Sequence, residues 1–392
     1  MPWQEESTME LRRQFLQDVQ SGATPVSELC AAYQISRKTG YKWLARYEAG
    51  GLPALADHSR RPQHSPTATP PELVAALLAA RARHPRWGPR KLLRLLRQQL
   101  PSAAWPARST VALHLHRAGL SAAPRRVRRP GHPGRPQAPM DAPNAVWTVD
   151  FKGQFRLGDG SHCYPLTLAD GYSRMLLSCR ALTSTRVAEA RPEFVRAFQQ
   201  YGLPVRLRSD NGVPFATQAL GRLSALSVWW IRLGVLPDLI EPASPQQNGR
   251  HERMHRTLKA DCTRPPSPTR RGQQRRFDAW RQEYNELRPH QALADDAPAA
   301  HYHSSPRPYP RRLAPLEYPR HYEVRRVSRN GGIRWHTQWV NVSQTLGEEW
   351  IGLTEIDDGE WDVYFGPLRL GRFHERTLTI EDVFGRQYRR RY

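Results

Sequence analysis

Three apolar runs in quick succession, residues 147–151, 164–169 and 175–181, confine this chain to a narrow choice of folds. Each has strand length, and Leu157-Gly158-Asp159-Gly160 reads as a hairpin turn between the first two. Helix-length segments then alternate with shorter apolar runs: a helix over 184–201, a strand at 205–208, a helix over 215–233 and a strand at 238–241. Hairpin strands followed by such alternation predict a mixed sheet with helices on both faces.

In the first run Trp147, Val149 and Phe151 share one face, and Thr148, Asp150 and Lys152 the other. Asp150 therefore projects from a definite face of a strand, where burial without a partner is costly. A second acid, Asp210, ends the 205–208 run within Arg208-Ser209-Asp210-Asn211-Gly212. Ser244-Pro245-Gln246-Gln247-Asn248-Gly249-Arg250-His251-Glu252 reads as a turn and then a helix start. Glu252, Arg256 and Lys259 follow at i, i+4 and i+7, on one helical face. Alone, that face is a solvated ion-pair stripe; the two upstream aspartates make it a candidate site. Asp159 and Asp170 sit beside glycines at strand ends and are expected in turns or caps, with Asp238 and Glu241 structural or solvent-facing.

The three acidic segments resemble the Asp-Asp-Glu catalytic core of insertion-sequence transposases in the retroviral-integrase superfamily. Lys259, seven residues past the glutamate, matches a basic position typical of that helix. The resemblance implies a ribonuclease-H-like integrase core over 144–305. In it Asp150, Asp210 and Glu252 are the catalytic and metal-binding acids for two magnesium ions, replaceable by manganese. It places Arg256 and Lys259 on the DNA backbone, with Asn248 in the DNA-facing loop before the helix. The implied chemistry is hydrolysis at an element's 3′ ends and attack of those ends on target DNA, by a homodimer or larger assembly formed on DNA. Tyr284-Asn285-x-x-Arg288-Pro289-His290 is also similar to the end of such a core, and is expected to be structural.

Around this core the chain is basic throughout. Lys and Arg total 59 against 36 Asp and Glu, a net charge of +23 over 392 residues, which implies a polyanionic partner, nucleic acid first. No apolar run reaches the roughly 18–20 residues of a membrane span, and Met1–Glu6 lacks a signal peptide's regions, so a cytoplasmic, nucleoid-associated location is expected. Cys30, Cys163, Cys179 and Cys262 are scattered without a Cys-x-x-Cys pair, which disfavours a zinc knuckle or a disulfide framework; here the chain departs from retroviral integrases.

Residues 1–60 read as a helix-turn-helix domain. Leu11, Phe15 and Val19 form one stripe, Thr24-Pro25 opens a second helix, and Ser36 caps a third over 37–49. That last helix carries Arg37, Lys38, Thr39, Lys42 and Arg46 outside an apolar side of Tyr41, Trp43, Leu44 and Tyr47, as a major-groove reader would. Residues 61–123 are expected to form a second helical, helix-turn-helix-like domain, with Arg90 and Lys91 toward DNA and Ser109 capping its last helix. The stretch 124–143 is a Pro/Arg linker in which Arg125, Arg126, Arg128 and Arg129 would follow phosphates. Residues 264–276 read as a second basic loop before a helix at 277–287. Residues 306–392 alternate like strands around Asn330-Gly331 and Asp358-Gly359, fitting a small barrel, which the resemblance makes Src-homology-3-like and DNA-binding. The architecture expected is thus multidomain α+β: helical units, an α/β core, a small β domain. Two other readings stay open, a DNA-binding regulator with an inert core and a nuclease that cuts without joining.

Overall fold

The computed structural model describes residues 7–57, 68–121, 138–241, 245–383, 385 and 387–388. Two compact units divide the chain, 1–70 and 71–392.

The first unit contains α1 (Thr8–Ser21), α2 (Val26–Ala32) and α3 (Arg37–Gly50). Phe15, Leu16, Leu29, Cys30, Trp43 and Leu55 fill its core. Ser36 caps α3 by accepting from the Thr39 amide. Pro25 rather than Thr24 stands at the start of α2, without a side-chain cap. Gly40 lets α3 close on its neighbours, since a Cβ there would lie 2.5 Å from Cys30 Sγ and 3.1 Å from the Phe15 ring. Leu11 and Tyr41, expected on apolar faces, are exposed.

The second unit opens with α4 (Pro71–Arg83), α5 (Pro89–Gln99) and α6 (Arg108–Arg117), packed through Leu77, Trp87, Leu92, Leu96, Val111 and Leu115. Helix α6 begins at Arg108 after Ala107 with no side-chain cap, so Ser109 lies inside it.

The central sheet consists of β1 (Val146–Phe151), β2 (Phe155–Arg156), β3 (His162–Asp170), β4 (Leu176–Leu182), β5 (Arg206–Ser209) and β6 (Leu236–Leu239). Antiparallel β3 pairs with β1, β2 and β4; β1 pairs parallel with β5, and β5 parallel with β6. The sheet is mixed, as the sequence pattern predicts. Between β4 and β5 runs α7 (Val187–Tyr201), and before β6 runs α8 (Ala225–Arg232). Both pack on the face carrying Trp147 and Val149, through Phe194, Phe198, Trp229 and Trp230. The opposite face takes α9 (Gly249–Cys262) and α10 (Arg270–Glu286), through Met254, Leu258, Phe277, Trp280 and Tyr284.

Two helix lengths differ from expectation. The segment 215–233 is helical only over α8, because Gly221 adopts φ +64° in a 3-10 turn and Ser224 with Ser227 forms a capping box. Helix α10 starts at Arg270 instead of 277, since Thr269 caps it by accepting from the Gly272 amide.

Beyond the core, β7 (Glu323–Arg326), β8 (Gly332–Trp335), β9 (Gln338–Asn341), β10 (Trp350–Asp357), β11 (Glu360–Phe365), β12 (Leu368–His374), β13 (Thr379–Asp382) and β14 (Gln387–Tyr388) follow. Among the described residues they form an open six-stranded sheet, β14-β13-β12-β11-β10-β7, and a separate β8–β9 hairpin, not a closed barrel. Their shared core includes Val327, Trp335, Leu353, Phe365 and Phe373. It also takes Val228 and Ile231 from α8, whose Leu226, Trp229 and Trp230 belong to the central core. All four cysteines are free and buried. No described helix is long and apolar enough to cross a membrane.

Candidate active site

The topology brings three acids distant in sequence to the same end of the sheet. Adjacent parallel strands β1 and β5 bring Asp150 and Asp210 to neighbouring strand ends. Helix α9, packed on that face, brings Glu252 in its first turn. Asp150 is largely buried, with a side chain 21% exposed. Burial first, then the negative charge of Asp210, with Glu252 adding, pushes its carboxyl up to about 7 from an ordinary 3.8, although a backbone hydrogen bond and Lys152 oppose the shift. Asp210 Oδ1 accepts from the Gly212 amide at 3.1 Å, and Asn211 Nδ2 anchors that turn to the Ile240 carbonyl at 2.8 Å. Glu252 is exposed. Gln247 ties the turn before α9 to the end of the β6 segment, accepting from the Glu241 amide at 2.8 Å and donating to its carboxylate at 3.2 Å.

Among the described residues no three Asp, Glu, His or Cys side chains converge tightly enough to enclose a metal ion. The acids sense one another as charges without forming a closed ligand shell. As a donor set they nonetheless fit a hard divalent cation: carboxylate oxygens only, one of them held near neutrality by burial and then by its neighbours' repulsion.

Two histidines on α9 support Asp150 and are absent from the sequence-level site. Thr167 Oγ1 on β3 lies 2.7 Å from both His251 Nε2 and His255 Nε2, and Thr148 Oγ1 lies 2.7 Å from His251 Nδ1. One proton assignment satisfies the three histidine contacts: both Nε2–H groups donate to Thr167, Thr167 donates to the Asp150 carbonyl, and Thr148 donates to His251 Nδ1 in place of its longer 3.2 Å bond to the Ala169 carbonyl. His255 Nδ1 then presents a lone pair 3.6 Å from Asp150 Oδ2. Burial pushes His251 down to about 3 and His255 well below its usual range, so both rings are neutral and this contact is no ion pair. The i, i+4 spacing of the histidines beside Met254 and Leu258 was the available signal. Lys152, two residues past Asp150, is half-buried and its ammonium is lowered by burial and by Lys259.

The basic residues sort differently. Arg256 and Lys259 are exposed on the Glu252 side of α9, and Arg37 and Lys38 are exposed on α3, whereas Thr39 is half-buried with its hydroxyl 2.9 Å from that of Ser36. Lys42 and Arg46 lie over the Trp43 ring, 4.6 and 4.9 Å from its centroid. Arg90 is turned inward: its Nε pairs with Asp295 at 2.6 Å, as Arg94 pairs with Asp296 at 2.6 Å, fastening α5 to the core. Lys91 is half-buried beside Arg288, and burial then that charge lower it to about 8. Asn248 is 5% exposed, with Oδ1 unpartnered. Arg125, Arg126, Arg128 and Arg129 lie outside the described residues. Asp170 and Asp159 take the turn roles expected of them, accepting from Ser173 and Ser161 respectively.

Two integrase core domain models match residues 140–245 and 233–298; a helix-turn-helix domain model matches 11–63 and a homeodomain-like model 39–115. The insertion element IS407 uncharacterized 31.7 kDa protein of Burkholderia multivorans is 32% identical over 187 residues, 46% of this chain and 64% of that protein. The insertion element IS476 uncharacterized 39.2 kDa protein of Xanthomonas euvesicatoria is 28% identical over 241 residues, 60% and 67% of the two chains. The chain is thus similar to insertion-element proteins and matches helix-turn-helix models ahead of an integrase-type core. It spans just under two thirds of the first of these relatives. A chain of the simian T-cell lymphotropic virus intasome in complex with PP2A regulatory subunit B56 gamma aligns over 75% of this chain and 97% of its own, with 16% identity and a TM-score of 0.37.

Proposed function

We propose that this protein is a DNA transposase that recognises the ends of an insertion element, cleaves at their 3′ termini and joins them to target DNA. The observation that carries the reading is Asp150, a strand carboxyl pushed up to about 7 by burial and by the charges of Asp210 and Glu252. Such a group needs positive charge to ionise at neutral pH, which is the demand a metal-dependent phosphoryl-transfer site makes. Asp150, Asp210 and Glu252 would hold two magnesium ions, or manganese in their place. When bound, those ions supply charge for the entering and leaving oxygens of the phosphodiester.

The chain's own groups do the rest. Asp150, backed by neutral His255, is kept from pairing with a fixed cation and stays available as a ligand. Arg256 and Lys259, exposed beyond Glu252, would hold the DNA backbone at the scissile phosphate. Arg37, Lys38 and Thr39 at the start of α3, with Lys42 and Arg46 further along it, would address element ends in the major groove. The 306–392 segment would add a nonspecific DNA surface. Two element ends held together require a dimer or larger assembly on DNA.

A strand-transfer assay tests the proposal: protein, magnesium or manganese, and labelled DNA carrying the element's ends, with Asp150→Asn in parallel. Joined products that disappear in the variant are the expected result. End binding with neither cleavage nor joining would establish an inert regulator instead, and nicking without joining would leave only a nuclease.

A further inference from the structure

Helix α9 has a second functional face. A cavity of about 790 Å³ opens on the side of α9 defined by Arg250, Arg253, Met254 and Thr257, at i, i+3, i+4 and i+7, away from Glu252, Arg256 and Lys259. Its rim gathers cations from four places in the fold: Lys91 of α5, Arg174 after β3, Arg250 and Arg253 of α9, and Arg288 after α10. Arg208 lines it too, but is neutralised by Asp238 at 2.7 Å, and Arg288 is partly offset by Asp261 at 3.5 Å, which leaves Lys91, Arg174, Arg250 and Arg253 without an ion pair shorter than 4 Å among the described residues. No carboxylate is among the described lining residues. Concentrating like charges against low-dielectric walls is costly unless an anion enters.

The polar groups point the same way. Three lining residues keep a buried polar atom without a hydrogen-bond partner: Arg174 Nε, Asn248 Oδ1 and His290 Nε2. Arg174 sits at φ +66° and its guanidinium is pushed down to about 10, by burial and then by Arg250. Asn248 is buried, and its amide can present a donor by exchanging oxygen for nitrogen. Buried groups left unsatisfied by the protein mark places where an outside partner supplies the bond.

We infer that this cavity is a phosphate-binding site for a DNA backbone segment other than the one at the acid triad, read by Lys91, Arg174, Arg253 and Arg288 with Asn248 and His290. It gives the Arg288-Pro289-His290 stretch, expected to be purely structural, a ligand. DNA would then bracket α9, with a scissile strand on the Glu252 side and a second phosphate held behind it. The inference rests on the DNA reading above, though not on catalysis.

The test uses the full chain carrying Asp150→Asn, so that cleavage plays no part. Pyrophosphate binding is measured by calorimetry at constant ionic strength, then displaced with a short DNA duplex. In the expected result pyrophosphate binds one-to-one, Lys91→Gln with Arg174→Gln weakens it at least tenfold, and the duplex displaces it. The charge-conserving pair Lys91→Arg with Arg174→Lys should hold affinity within a few-fold, separating loss of the site from loss of the fold. Binding unchanged by the glutamine pair would overturn the site, as adsorption elsewhere on a +23 chain. Pyrophosphate that the duplex cannot displace would overturn the assignment to DNA. Either failure leaves strand transfer by the triad to be judged by its own assay.

Discussion

Replacing Asp150 by asparagine should stabilise the metal-free protein while abolishing its chemistry, and the gain should depend on pH. The unfolded carboxyl ionises near 3.8, whereas the folded one holds its proton to about 7. Between these values the unfolded chain loses a proton that the folded chain keeps, so stability falls as pH rises through the window. Above it the full cost of a buried, repelled carboxylate is present. At 1.36 kcal/mol per tenfold, that gap amounts to about 4 kcal/mol at pH 8 and, by the same linkage, roughly 2 kcal/mol or less at pH 5. Asparagine does not titrate and escapes this cost. Urea unfolding in EDTA, followed by tryptophan emission, should therefore show Asp150→Asn ahead of wild type by several kcal/mol at pH 8, with the lead about halved at pH 5. Magnesium should close the lead by stabilising only the wild type. A variant no more stable than wild type at pH 8, or a lead equal at both pH values, would refute the idea that Asp150 carries an uncompensated charge.

Three further outcomes concern other parts of the molecule. His255→Ala should cut nicking by about 10–100-fold, as loss of groups behind metal ligands does, and should move the pH–rate profile; an unmoved profile would make the ring mere packing. Arg37→Gln with Lys38→Gln should weaken binding to element ends and lower the slope of log affinity against log salt by about 0.9 for each phosphate no longer neutralised, measured by fluorescence anisotropy. Phe277→Ala, fully buried where α10 meets the sheet, should cost about 3–5 kcal/mol, checked by the same unfolding experiment.

The places of the three acids on strand ends and a helix start were legible because strand parity and turn chemistry are local. Alternation in Trp147–Lys152 fixes the face of Asp150, and Ser209-Asp210-Asn211-Gly212 marks a strand end without knowledge of the rest. What local pattern could not show is what α9 buries. His251 and His255 become supports for Asp150 only when α9 is laid on β1 and β3. Arg90 looked like a free basic residue because Asp295 lies some two hundred positions away. In the last segment, Glu323, Arg325, Arg369 and Arg372 interrupt apolar alternation, which hid β7 and β12. The expectation of a small barrel came from strand alternation and its Src-homology-3-like form from the resemblance, whereas among the described residues the ladder ends at β7 and β14.

Helix α8 carries two interiors on one short rod. Leu226, Trp229 and Trp230 face the central sheet, while Val228 and Ile231 face the C-terminal one, and Arg232 clasps Glu349 at 2.7 Å. Evolution cannot trade such a terminal segment as an interchangeable cassette, because its removal would strip half of a helix the central sheet depends on. A shortened chain ending near residue 305 would expose that seam to solvent and invite self-association. Strain applied to the C-terminal strands would reach Trp230, and through it the sheet that carries Asp150, without crossing a hinge.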